Sequence, residues 1–191
     1  SFGKQLAAAA WALGFAAAPR KAFLGDGSET NWGVWRKHFS YYPPVLDFAH
    51  ARCYVDAAAM AGRSFAEGWP IYVQWAQWTW SGETALVIAA LRVRLAALGP
   101  PAENEAEDSP RSRVADALRY LHNQQSRMRY DEYRRQGLPI TSSHIESTIK
   151  QINRRVKGSE KFWSEGGAEA LLQLAADHLS DSDPLTPFWL R

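Results

Sequence analysis

KAFLGDGSETNW, Lys21 to Trp32, runs from a short apolar segment straight into Asp-Gly-Ser. AFLG reads as a buried strand, which sets Asp26 at its exit. VLDFAHARCYV, Val45 to Val55, repeats the pattern: VLDF reads as a second strand, with Asp47 at its end and His50 three positions later. Asp-Gly is also the commonest turn dipeptide, so Asp26 taken alone has an ordinary explanation. Around these strands, residues 2–18 read as an Ala-rich helix ended near Pro19, and Asn31 to Phe39 places Trp32, Trp35 and Phe39 at helical spacing. Tyr41 to Pro44 is a breaker. Helix, strand, helix and strand at such short intervals predict a parallel α/β arrangement.

The chain has 191 residues, enough for about one domain or one domain with a large insertion. Nine tryptophans promise a sizeable core or stacking surfaces, and a net charge of +2 argues for no partner by itself. The lone Cys53 excludes an internal disulfide and fits a reducing cytosol. LAAAAWALGFAAAP has an Ala-rich tail like that of a secretory leader, but Trp11 and Gly14 interrupt it and a Leu core is missing. It is also too short to span a membrane. A helix packed closely on a sheet is the better reading, and SFGKQ inside helical sequence reads as a start within a longer protein.

From Ala51 to Gln136 nothing reads as strand. Ala51 to Ala66 is helix-like, Tyr72, Trp75 and Trp78 share a helical face, and Ile88, Leu91, Leu95 and Leu98 follow the same rule. Residues 99–110 form an acidic, Pro-containing loop. Val114, Leu118, Leu121 and Met128 mark another long helix. The organisation expected is therefore 1–55 as helix, strand, helix and strand, 56–136 as an all-helical insertion, 137–180 as two further helices, and 181–191 as a tail.

In the third segment Gly137 and Pro139 break the preceding helix, Ser143 can cap a new one, and Ile145, Ile149, Ile152 and Val156 give it an apolar stripe. Glu146, Lys150, Asn153 and Lys157 lie together beside that stripe. Glu146 has two readings. SHIE, Ser143 to Glu146, is a capping box, in which Glu146 reaches back to the cap's backbone N–H. Alternatively Glu146 points at a metal shared with a strand-end Asp. Ligands of parallel α/β sheets sit beyond the carboxyl ends of strands, and Mg²⁺ takes hard oxygen ligands from one or two carboxylates plus substrate phosphates. From Arg111 to Lys161 there are twelve Lys/Arg against five Asp/Glu, a net of +7 in a chain that carries +2 overall. Lys150, Arg154, Arg155, Lys157 and Lys161 could hold a nucleic-acid backbone, or simply be a solvated helical face.

The order FLGDGSETNW, VLDFAHA, a helical stretch, YRRQGLPITSSHIESTIKQINRRVKGSEKFW and a short Leu/Ala helix resembles the C-terminal part of bacterial insertion-sequence DDE transposases of the Mutator-like group. The resemblance covers nearly the whole chain. FGKQLAAAAWALG is similar to the helix before the D-G strand in that family. The family's second catalytic Asp ends a core strand in a D-G-[AS] motif, matched by Asp26. Its [C/D]-x-x-H motif is matched by Asp47 and His50, and the Glu that opens a helix after the insertion is matched by Glu146. The fold implied is α/β, with a ribonuclease-H-like core that is N-terminally incomplete and interrupted by the all-helical insertion. The activity implied is DNA cleavage and strand transfer with two Mg²⁺ (or Mn²⁺) ions. Asp26 and Glu146 would be catalytic metal ligands, and Asp47 and His50 accessory residues. Lys150, Asn153, Arg154, Arg155, Lys157 and Lys161 would contact DNA, both element ends and target. Homo-oligomers on DNA and a bacterial cytoplasmic, nucleoid-associated location are implied too, and no membrane. No residue here matches the family's first catalytic Asp, so the chain is expected to be inactive alone.

Two other readings stay open: a non-catalytic DNA-binding protein derived from such a transposase, and an unrelated α/β small-molecule-binding module with Asp26 in a structural turn. His50 could be a helix-start residue, and Trp163 could fill core or stack on an unpaired base. Cys53 and His50 lack the second ligand pair that a zinc site needs. GDGSE lacks the G-x-S-x-G elbow of a hydrolase and the Gly-Lys-Ser/Thr ending of a P-loop.

Overall fold

The structure, a computed structural model, describes residues 1–157, 160, 162–180 and 185–186, with the side chain of Arg155 outside the description. It divides into two compact units, Ser1–Thr141 and Ser142–Arg191. Among the described residues no helix is long and apolar enough to cross a membrane.

The first unit is mixed α/β, mostly helical, around two short parallel strands. β1 (Phe23–Gly25) and β2 (Pro44–Leu46) pair in the register Phe23–Pro44, Leu24–Val45 and Gly25–Leu46. The connection between them is α2 (Glu29–His38), as a parallel pair requires. α1 (Phe2–Ala12) precedes them. The chain then continues as α3 (Phe48–Met60), α4 (Phe65–Trp80), α5 (Thr84–Leu98), α6 (Pro110–Gln124) and α7 (Tyr130–Arg135). α3 packs on α4 and α6, and α5 on α6 and α4. The expected parallel pairing is present.

Apolar spacing explains the packing. α3 buries Ala51, Val55, Ala58 and Ala59, small side chains that let its neighbours approach closely. α6 buries Val114, Ala117, Leu121 and Gln124, one stripe at helical period. Trp32 of α2 is fully buried against β1, its ring 6.1 Å from that of Phe23 and with the Arg127 guanidinium 4.4 Å over its face. Trp75 and Trp78 join the core as expected, while Trp80 is part-exposed beneath the Arg134 guanidinium at 3.9 Å.

Several boundaries differ from the sequence expectation, each for a local reason. The helix expected over 2–18 stops at Ala12, because Gly14 takes a left-handed conformation at φ 77° and a short 3₁₀ turn, Phe15–Ala17, follows. α2 begins two residues early, since the Ser28 hydroxyl accepts from the Asn31 N–H and caps it. The helix expected over 51–66 starts at Phe48, capped by Asp47, and ends before Gly62 at φ 68°. α4 then opens with Ser64, whose N–H donates to Glu67 Oε2 at 2.9 Å. The long helix after residue 110 breaks at a 3₁₀ turn over Gln125–Arg127.

The second unit holds α8 (Ser143–Val156) and α9 (Glu165–His178), packed on one another. Ser164 caps α9 through the Gly167 N–H. Ile145 and Ile149 of the α8 stripe stay well exposed. Trp163 is not core: it is half-exposed, and its indole N–H donates to the Val156 carbonyl at 2.8 Å.

Candidate functional site

β1 delivers Asp26 and β2 delivers Asp47, each the first residue after its strand, and they continue the register one step beyond Gly25 and Leu46. The Asp47 N–H donates to the Gly25 carbonyl at 2.7 Å, so the pairing holds as far as these carboxylates. The two acids then serve differently.

Asp26 is exposed. Its Oδ1 accepts from the Ser28 N–H and from Asn31 Nδ2, both at 2.9 Å. The Ser28 backbone bond holds its carboxyl below the usual value of 3.8; partial burial opposes this, and Asn31, the Ser28 hydroxyl and the field of His50 add to it. Asp26 is therefore a charged carboxylate at neutral pH. The Asp-Gly-Ser turn is thus an Asx-type launch for α2 and also the mount of an accessible carboxylate.

Asp47 is buried, 1% exposed. Its Oδ1 accepts from the N–H groups of Ala49 (2.7 Å) and His50 (3.2 Å), so it is the N-cap of α3. His50 Nδ1 lies 3.7 Å from the same oxygen, with its side chain 46% exposed. That is beyond hydrogen-bond length and is an ion pair only when the imidazole is protonated. The first unit therefore brings Asp26, Asp47 and His50 together at the carboxyl end of the sheet, where ligands of parallel sheets sit.

Sequence reasoning missed what fixes the turn. The Tyr120 hydroxyl donates to the Asp26 carbonyl at 2.6 Å, and Gln124 Nε2 donates to the Gly27 carbonyl at 3.0 Å. Tyr120 stacks on Tyr54, ring centroids 3.8 Å apart and nearly coplanar at 12°. Burial, then Tyr54 and Asp26, push its phenol well above the usual range, so it stays a neutral donor. One sequence signal pointed this way. Gln124 is in phase with Val114, Ala117 and Leu121, and a polar residue at a core position needs a specific partner.

In the second unit Glu146 sits in the first turn of α8, half-buried. Ser142, not Ser143, is the N-cap, which places Glu146 one position past that of a capping-box acid. Its Oε1 accepts from the Ser142 hydroxyl at 3.1 Å. Lys150, Arg154 and Lys157 are exposed and Asn153 is half-buried. Lys161 and the Arg155 side chain lie outside the described residues.

The chain matches no family model, no curated protein and no solved structure.

Hard oxygen donors suit Mg²⁺ or Mn²⁺. Asp26 fits that donor set, being charged and exposed. Asp47 fits it less well, because it is buried and its Oδ1 already accepts two backbone N–H groups.

Proposed function

We propose that this chain carries part of the catalytic core of a Mg²⁺-dependent DNA transposase, built on a ribonuclease-H-like sheet. The observation that carries the reading is Asp26: an accessible, ionised carboxylate at the carboxyl end of a parallel strand, level with Asp47 on the neighbouring strand. In this reading Asp26 and Glu146 are metal ligands, and Asp47 with His50 shapes the ground behind Asp26. Lys150, Asn153, Arg154, Arg155, Lys157 and Lys161 hold phosphates. Bound Mg²⁺ would offset the charge that builds on phosphate oxygens and lower the pKa of an attacking hydroxyl.

The chain's own part is positional. The Ser28 and Asn31 bonds keep Asp26 charged and aimed. The bonds from Tyr120 and Gln124 stop its backbone from shifting. In the reaction water breaks a phosphodiester to leave a 3′-hydroxyl and a 5′-phosphate. That hydroxyl then attacks a phosphodiester of target DNA, forming a new P–O bond as the target's own P–O3′ bond breaks and releases a target 3′-hydroxyl. Assembly into homo-oligomers on DNA and a bacterial cytoplasmic location belong to the same proposal. The resemblance supplies no match for a first catalytic Asp, so binding tests the reading better than turnover does.

The test is Mn²⁺ binding followed by electron paramagnetic resonance, together with DNA binding at low salt. Saturable Mn²⁺ binding lost in both Asp26→Asn and Glu146→Gln supports the reading, as does DNA affinity that falls steeply with salt and with Lys150→Ala plus Arg154→Ala. Absence of bound Mn²⁺ in the wild-type chain overturns the metal assignment. A second reading, a DNA-binding protein without metal chemistry, is favoured by one contact: Glu146 accepts from Ser142 within its own first turn. It predicts DNA binding indifferent to Mg²⁺ and unchanged in Glu146→Gln.

A further inference from the structure

Between the Asp26–Gly27 turn and one face of α6 lies an open cleft of about 480 Å³, within the first unit. Arg119 and Asn123 line it from one face of α6, four residues apart, and Arg127 adds to the lining from the 3₁₀ turn that follows the helix. Gly27, Tyr54 and Tyr120 form its other walls. We propose that this cleft receives one nucleotide of a DNA strand and so holds the strand beside Asp26. The proposal rests on the transposase reading and names a subsite within it.

Three features argue for a nucleotide. The first is position. Tyr120 and Gln124 of the wall bond to the carbonyls of Asp26 and Gly27, so an occupant of the cleft lies against the turn that carries the strand-end carboxylate. The second is the set of polar groups. Arg127 is held before any ligand arrives: its Nη1 donates to Gln124 Oε1 at 2.7 Å, and its guanidinium carbon sits over the Trp32 ring at 4.4 Å. Arg119 is paired with Asp116 on the helix surface at 2.7 Å, and its side chain is 74% exposed. Guanidinium forks match phosphate oxygens. Asn123 is exposed and presents an amide with both donor and acceptor, the pairing that reads a base edge. The third is the stacked Tyr54–Tyr120 pair, a flat aromatic wall of the kind on which bases lie. Glu29 and Asp116 also line the cleft, but their carboxylates are tied to Arg36 at 3.0 Å and to Arg119 at 2.7 Å, which offsets their repulsion of phosphate. The size also fits, since small-ligand sites start at roughly 300 Å³.

The experiment is fluorescence anisotropy at low salt on the full chain, with a labelled single-stranded DNA oligonucleotide and with free dAMP as competitor. Asn123→Ala and Arg119→Ala change exposed side chains, and circular dichroism confirms that each variant is folded. Arg113→Ala, exposed on α6 and outside the cleft lining, is the control. Each cleft variant is expected to weaken oligonucleotide binding by roughly fivefold or more. The control should bind as wild type, and dAMP should compete only weakly. Oligonucleotide binding that is unchanged in both cleft variants overturns this inference and leaves the transposase reading standing. Tight dAMP binding that the oligonucleotide does not displace also overturns it, since the cleft then serves a free nucleotide. Absence of binding by either probe overturns both the inference and the reading.

Discussion

At Gly27 the backbone turns with φ 96°, and a Cβ there would stand 2.8 Å from both Cε2 and Oη of Tyr120. A side chain would meet backbone strain and a ring that cannot retreat, because Tyr54 backs it. Gly27→Ala should therefore lower stability by roughly 1–3 kcal/mol, read as a lower midpoint in calorimetry. A midpoint unchanged from wild type would mean that the turn is less constrained than its contacts imply. Asp26 carries a pH signature. Its folded pKa lies below the ordinary 3.8, so the stability it contributes is present above about that pH and is lost as pH falls through the lower, folded value. Asp26→Asn keeps an oxygen for the Ser28 N–H and removes the titration. Its denaturant midpoint should thus fall less than wild type's between neutral pH and pH values below 3.8. Equal falls in the two proteins would show that Asp26 does not titrate with folding.

Among the elements, α3 depends on its cap. Asp47 accepts from two N–H groups of the first turn while almost fully buried, so Asp47→Ala should cost about 1–2 kcal/mol. Asp47→Asn, which retains a cap oxygen, should recover much of this in a urea titration, and failure to recover would point to a need for the charge itself. The two strands and their exit acids were legible because short apolar runs ending in Asp recur once each, about twenty residues apart. The bonds that lock the first of these acids were not, since Tyr120 and Gln124 lie 94 and 97 residues from the carbonyls they hold. No local pattern encodes such a distance. The helix breaks at Gly14 and Gly62 were written in the sequence as glycines able to take a left-handed turn, yet the apolar period runs through both and hides them. The SFAE box that opens α4 was equally legible and was masked by the Ala-rich run before it.

On the scale of the whole molecule, every residue of the main hydrophobic cluster lies between Ala22 and Ile140. In the second unit, Ala175 is the buried hydrophobic residue among those described. A chain ending at Thr141 should therefore unfold in one cooperative thermal transition and keep its aromatic near-ultraviolet circular dichroism. A residue 142–191 peptide should be largely unfolded in water, because a two-helix hairpin with so small a core does not offset its ordering entropy. Loss of the near-ultraviolet signal from the 1–141 chain would show that its core needs the rest of the sequence. The block read as an insertion contributes α6, whose Tyr120 and Gln124 hold the strand-end turn.

The ties from Tyr120 and Gln124 to that turn impose an order of events on the newly made chain. A ribosome extends a protein by about 5–20 residues per second. The segment around Asp26 therefore emerges several seconds before the helix that anchors it. Through that interval β1 can pair with β2, but the Asp-Gly turn has only its Asx bonds to hold it. The carbonyls of the turn gain their partners only when α6 arrives, so a nascent chain can form its strands before the turn beyond the first of them is anchored.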